Sequence, residues 1–317
     1  MGRTNTVSLD LLSNQAVQTR TFRAAVASHE DWLAGRAGGT RADFSGQVFS
    51  ELTLDGLNLR KANLTGVVFV QAKLAGANFA GAILDDADFR GAILTGADFE
   101  GAQIHGAKFD GAFLTSANFT EASIWDTRFR KAQLSEARLL ETEIVRCDFV
   151  EVNLRSASFH QARITESSFQ EADLGAAIFY NVKLQFSRFC NVTAAPVNFS
   201  NARIERCDFS NAALDESKFF RADLGRSQFN RAKMRNCDMR ESTLTGTDFD
   251  AAILSGARFA NAKLYTADLR GANLKSAREF TSEQLAQART SDTTTLPNGK
   301  PGPYMKGSGG EKPLLAR

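Results

Sequence analysis

Histidine is nearly absent from this chain, three residues in 317. His29, His105 and His160 lie far apart without ligand spacing, so no metal site is expected. No Gly-rich phosphate loop, GxSxG or HExxH occurs, which leaves no motif for catalysis, no cofactor and no small-molecule substrate to expect. Neighbouring acids such as Asp85, Asp86 and Asp88 read as a solvated wall rather than an acid–base pair. No run approaches the ~18 apolar residues of a membrane span. The N-terminus has no apolar signal core, so the expected location is cytoplasmic, although Met1-Gly2 with Thr6 matches the myristoylation pattern. Charge of neither sign dominates: 38 basic and 36 acidic residues leave a net +2.

What the chain has instead is a beat of five. Residues 81–100 read GAILDDADFRGAILTGADFE, and the same small-x-large unit continues without insertion or deletion from Phe44 to Leu274, 47 repeats in all. The position two before each large centre is Ala in 28 repeats and otherwise mostly Val, Ser, Thr or Cys. The centres alternate, Leu or Ile at 64, 74, 84, 94, 104 and 114, Phe at 69, 79, 89, 99, 109 and 119. Neither a helix, at 3.6, nor a strand, at 2, has this period. A chain that turns a corner every five residues and closes a square in about 20 does, with coils stacked at roughly 4.8 Å. Each centre then fills the axis, and the residue two before it must be small to pack beside the wall. Phe falls on two opposite faces and the aliphatic centres on the other two.

The units ANL at 62–64 and 272–274, ADF at 87–89 and 97–99, and ADL at 172–174, 222–224 and 267–269 resemble the motif of the pentapeptide repeat family. The resemblance covers about three quarters of the chain and implies a fold: all-β, a right-handed quadrilateral β-helix with short helical caps at its N- and C-termini. The expected organisation is a helical N-terminal cap over 1–41, the coil over 42–277, a C-terminal capping helix over 278–297 and a disordered tail over 298–317. With nearly 12 coils, the rod would be roughly 55 Å long. In the N-terminal cap, Ser28 with Asp31 reads as a capping box before the last turn; at the other end Thr281 with Gln284 reads as a second, opening a helix to about Arg289.

The register also assigns the cysteines. Cys147, Cys207 and Cys237 occupy the small inward slot and read as buried, while Cys190 follows centre Phe189 and reads as the free thiol open to chemistry. Glycines 46, 66, 76, 81, 91, 96, 101, 106 and 111 all fall two after a centre, at corners that require positive φ. From 116 to 241 that corner is mostly charged or amide-bearing, and Gly returns at 246, 256 and 271. Ala194 replaces a Leu centre and Pro196 takes the next corner, where an underfilled core and a bent wall are expected.

Function has to sit on the outer walls. Residues 42–126 net −6 and residues 127–240 net +4, so the rod is electrically polar along its length. On the face holding centres 164, 184 and 204, Arg163, Lys183 and Arg203 stack outward in consecutive coils. Arg146, Arg206 and Arg226 occupy the following corner of that face. Tyr180 stands at the preceding corner, Phe186 at the following one, and Phe220 two coils beyond Tyr180. The expected function is a non-catalytic scaffold that presents this surface to a protein partner. The family resemblance implies an alternative, a DNA-mimic protector of DNA gyrase of the quinolone-resistance type; the near-neutral coil, net −2, argues against it. A second alternative is a structural or effector spacer. Direct nucleic-acid binding is disfavoured by the lack of a strong aromatic platform, and monomer and dimer both fit the pattern.

Overall fold

The computed structural model describes residues 22–194 and 196–313. Every centre from Leu59 to Leu274 is at most 1 % exposed, and Phe44, Phe49 and Leu54 of the first coil are also buried. The residue before each centre pairs in parallel with its counterpart one coil on, in four columns: Asp43 with Asn63, Val48 with Val68, Thr53 with Lys73, Asn58 with Asn78, and onward to Arg258 with Arg278. Four columns make four faces, and the fold is a quadrilateral β-helix. Its coils are joined by backbone bonds of constant pattern, as where Phe69 N–H donates to Asp88 O at 2.7 Å and Gln71 N–H to Arg90 O at 2.9 Å. In the first coil Gln47, Leu52 and Leu57 are too large for the inward slot and stay exposed or half-buried.

The two phenylalanine columns run up the interior as stacked rings. Phe89 lies 4.9 Å from Phe109 at 4°, and Phe129 lies 4.7 Å from Phe149 at 4°. Across the axis the two columns meet edge to face, as at Phe109 and Phe119, 6.3 Å apart and at 84°. Each such aromatic pair adds about 0.5–1.5 kcal/mol beyond its buried area. The alternation of Phe with aliphatic centres is what lets most rings find a ring above, below and opposite.

The corners share one backbone conformation. Gly66 has φ 66°, Lys131 58° and Phe186 51°, and every described corner from 46 to 276 is left-handed except Pro196. Glycine adopts this region freely, whereas other residues are strained by roughly 1–2 kcal/mol. Proline cannot enter it, because its ring fixes φ near −65°. Pro196 also lacks the N–H that corners such as Glu171 and Asn181 donate to the next coil, and the bond from Ala176 N–H falls on the Pro196 carbonyl at 2.8 Å, one residue beyond its regular acceptor, while Ala194 N–H donates in register to Ala213 O at 2.9 Å. The ladder therefore continues through the interruption, but one residue out of step at the corner itself.

One face is flatter than the others. It carries β1 (Gln103–His105), β2 (Ser123–Trp125), β3 (Glu143–Val145), β4 (Arg163–Thr165), β5 (Lys183–Gln185) and β6 (Arg203–Glu205), a parallel sheet in chain order. Elsewhere an Asp or Asn before the centre often turns the backbone by accepting the N–H two residues on, as Asp43 does from Ser45 at 3.0 Å. None of the six strands begins with Asp or Asn. The sheet stops where one returns: Asp223 accepts Gly225 N–H at 3.1 Å.

Helices close the ends. The first, α1, covers 22–33 and lays Phe22 on Phe44 and Phe49, with ring centroids at 4.7 and 4.3 Å. The part of the expected cap before residue 22, with the Met1-Gly2 motif, lies outside the described residues. Ser28 does not open a capping box. It sits inside α1, where its hydroxyl accepts Thr40 N–H at 3.2 Å, and the Asp31 carboxylate takes Arg36 Nε instead at 2.6 Å. His29 is fully buried; its Nδ1 accepts Ala42 N–H at 3.0 Å, so Nε2 carries the proton and donates to Arg60 O at 2.8 Å. At the other end α2 (Ser282–Gln287) has the reciprocal Thr281–Gln284 cap. Gln284 is also buried and donates through Nε2 to Phe259 O and Ala262 O, stitching the helix to the last coils.

The segment expected to be a disordered tail is ordered as far as residue 313. Thr295 pairs antiparallel with Pro301, Gly302 N–H donates to Thr294 O at 2.7 Å, and Tyr304 Oη donates to Glu311 at 3.0 Å. Its Gly and Pro residues serve tight turns that fold the chain back over the end of the core, where Leu296 is buried.

Candidate interaction surface

The flat sheet positions the cationic residues. Parallel register sets Arg163 beside Lys183 and Lys183 beside Arg203, one coil apart, with all three side chains exposed. Like charges at roughly 4.8 Å repel. Among the described residues, none of the three forms an ion pair, and neither does Arg226. Glu143 precedes the column on β3 and Asp223 follows Arg203, so acids bound it at both ends.

The corner residues divide differently from the sequence expectation. Arg146 is engaged: its Nε and Nη2 hold both oxygens of Asp126 at 2.7 and 2.6 Å, and this pairing keeps the Asp126 carboxyl below the usual range. Arg146 is thus neutralised by the corner one coil before it. Arg206 lies over the Phe186 ring, 5.5 Å from its centroid, and 3.9 Å from Glu205. Arg226 remains open.

The aromatics divide too. Tyr180, 37 % exposed, stacks on His160 at 5.3 Å and 1°, and Phe186 is 48 % exposed. Phe220 is no open platform, because Arg221 and Arg240 cover it at 4.9 and 5.7 Å. Cationic cover of this kind follows from long side chains one and twenty residues on, a relation that only the coil length reveals.

Between β5, β6 and the coil that follows lies a shallow concavity of about 550 Å³, lined by Lys183, Arg203, Arg226, Glu205 and Asp223. Its floor opens at Gly225, which sits just after centre Leu224, where every other repeat except that of Gly175 carries a side chain. A Cβ there would meet Asp223 Oδ1 at 3.2 Å. Sequence reading passes over Gly225 because it is not at a corner; its misfit to the glycine pattern is the available signal. A second feature it passes over is the His105–Trp125 stack at 5.1 Å, at the N-terminal end of the same sheet, with Asp85 3.4 Å from His105 Nδ1.

Burial disfavours the thiolate at all four cysteines. Cys147 and Cys207 are buried, their thiols pushed up to about 12 by desolvation, and burial likewise raises Cys237. Cys190, expected to be the open thiol, is only half-exposed, and burial followed by the charge of Asp208 raises its pKa as well. Neutral thiols are poor nucleophiles. Among the described residues no His, Cys, Asp and Glu cluster is arranged to hold a metal ion, and no helix is long and apolar enough to cross a membrane.

Three models of this repeat match the chain: pentapeptide repeats (8 copies) over 40–66, 69–111 and 198–236, a pentapeptide repeat region over 102–179, and pentapeptide repeats (9 copies) over 229–273. No curated protein matches. Among solved structures, HetL, a pentapeptide repeat protein involved in heterocyst differentiation regulation from the cyanobacterium Nostoc sp. strain PCC 7120, is 24% identical over 77% of this chain and 94% of its own, with a TM-score of 0.35. Full-length QnrB1, a plasmid-mediated fluoroquinolone resistance protein, is 16% identical over 77% of this chain and 94% of its own, with a TM-score of 0.20. A pentapeptide repeat protein of the Arabidopsis thaliana thylakoid lumen is 30% identical over 36% of this chain and 69% of its own, with a TM-score of 0.19. With matched segments running from residue 40 to residue 273 and an inward side chain at every fifth position between them, the chain belongs to the pentapeptide repeat family.

Proposed function

We propose that the protein is a non-catalytic scaffold whose contact surface is the cationic face around Arg163, Lys183 and Arg203, and that its partner is a protein. The observation that carries this reading is the in-register stacking of three unpaired cations on the flattest wall of the rod. Folding gains nothing from that arrangement, since like charges side by side oppose it, whereas many other arginines on the coil have a carboxylate of their own, as Arg235 has Asp215 at 2.9 Å. A rigid β-helix fixes the spacing of such charges, so contact orders their side chains but no backbone.

The test is a pulldown from lysate of the source cells with wild type and with Arg163→Glu/Lys183→Glu. Selective loss of one co-purifying protein with the variant supports the surface; identical recovery retires it. The fluoroquinolone resistance of QnrB1 motivates one parallel assay, supercoiling by DNA gyrase with and without a quinolone. Charge argues for no protection, because a coil with 29 acids and 27 bases presents little of the uniform negative field of duplex DNA. Protection of gyrase would replace the scaffold reading by mimicry.

A further inference from the structure

We infer that the occupant of this face is an acidic α-helix of the partner, lying along the rod axis; this rests on the scaffold reading above. The argument is one of pitch. Arg163, Lys183 and Arg203 occupy successive coils, so at roughly 4.8 Å per coil the three rungs span about 9.6 Å. Carboxylates at i, i+3 and i+7 of a helix share one face and span about 10.5 Å, at 1.5 Å per residue. An extended segment presents every second residue, and three such carboxylates span about 13 Å at roughly 3.3 Å per residue. A helix therefore meets all three cations in step, while an extended chain drifts out of register by the third.

The surroundings fit the same occupant. Trimming of the wall at Gly225 leaves the concavity at one end of the ladder, with Arg226 beside it as a fourth unpaired cation for a residue one turn further along. Phe186, half-exposed on the flanking corner with Arg206 over one face of its ring, and Tyr180 on the other side give contact to the two sides of a cylinder about 10 Å wide. Glu143 and Asp223, at the two ends of the column, oppose an acidic ligand longer than the ladder unless its charge is confined to about two turns. Uniformly charged polyanions meet that opposition, so nucleic acid is the less suited ligand.

The experiment uses the full chain and two designed peptides of one composition, both helical by circular dichroism. One carries Glu at i, i+3, i+7 and i+10; the other carries the same four Glu scattered around the helix. At about 0.05 M salt the first is expected to bind at least tenfold more tightly, with affinity falling steeply towards physiological ionic strength, where screening reaches about 8 Å. Arg163→Gln/Lys183→Gln/Arg203→Gln, whose coil is checked by thermal melting, is expected to abolish the difference. Equal binding of the two peptides, no binding of either, or tighter binding of a duplex oligonucleotide than of the first peptide would overturn the helix assignment. None of these results decides whether the face recruits a protein from lysate, so the scaffold reading stands or falls on the pulldown.

Discussion

Residues 42–111 and residues 116–241 share an interior and differ in their exterior. In the first region most corners are glycine and the wall is acidic, net −4; in the second most corners carry charged or amide side chains and the wall is nearly balanced, net +1. The backbone does not register the change, since Gly101 has φ 61° and Arg231 has φ 57°. Nor does the core, where Phe89 and Phe169 are equally buried and stack on rings 4.9 and 4.7 Å away. The inward positions thus determine the coil by themselves, and the corner accepts a strained residue because the coils above and below leave it no other conformation. The corner side chains of the second region therefore come with local backbone strain that the glycine corners of the first do not carry.

The sharpest break of this comparison is at the core. Phe89→Ala and Phe169→Ala are each expected to cost about 3–5 kcal/mol, with equal shifts of denaturation midpoint; a marked inequality would mean that the two interiors are not equivalent. Corners come next. Gly101→Ala, at a position with no neighbour within 4 Å of the added Cβ, is expected to cost about 1 kcal/mol through left-handed strain alone, and Arg231→Gly to return up to about the same amount. A loss on Arg231→Gly would show that charged corners stabilise the second region rather than strain it. Pro196→Asn restores both a donor and a residue tolerant of positive φ, and a gain of roughly 0.5 kcal/mol is expected in thermal melting.

The smallest effect distinguishes the end of the first region. Desolvation lowers the pKa of His29 in the folded cap, so the unfolded state binds its proton first as pH falls. The stability it contributes is complete above about 6.5, the ordinary value, and declines as pH drops below that towards the folded value. The protection factor of the Ala42 amide, whose N–H is held by Nδ1, should fall between about pH 7 and pH 5.5 relative to that of an equivalent inward slot deep in the coil, such as Ala132.

Much of this is legible in the sequence, for a physical reason. A repeat that tolerates no insertion over 47 units fixes register, and register fixes which residues become rung neighbours, so the stacking of Arg163, Lys183 and Arg203 follows from counting alone. The Thr281–Gln284 cap is legible because its bonds are local. What the sequence hides depends on contacts that the period does not encode. Arg146 looks free because its partner Asp126 is a full coil away at the same corner, and Phe220 looks open because Arg240 reaches over it from the next coil. The tail looks disordered from its Gly and Pro content, although Tyr304 and Glu311 anchor it. Ser28 looks like a cap because the signature is local, while the helix that contains it begins earlier.

The central claim is that inward and outward positions are independent, and two adjacent residues test it most directly. Phe119 is fully buried and stacked on Phe99 at 4.7 Å, whereas Thr120 makes only a surface bond to Asn118 through its side chain. Chemical denaturation of Phe119→Asp and Thr120→Asp, side by side with wild type, is predicted to show collapse or a loss of several kcal/mol for the first and a change within about 0.5 kcal/mol for the second. Comparable losses from both would contradict the account.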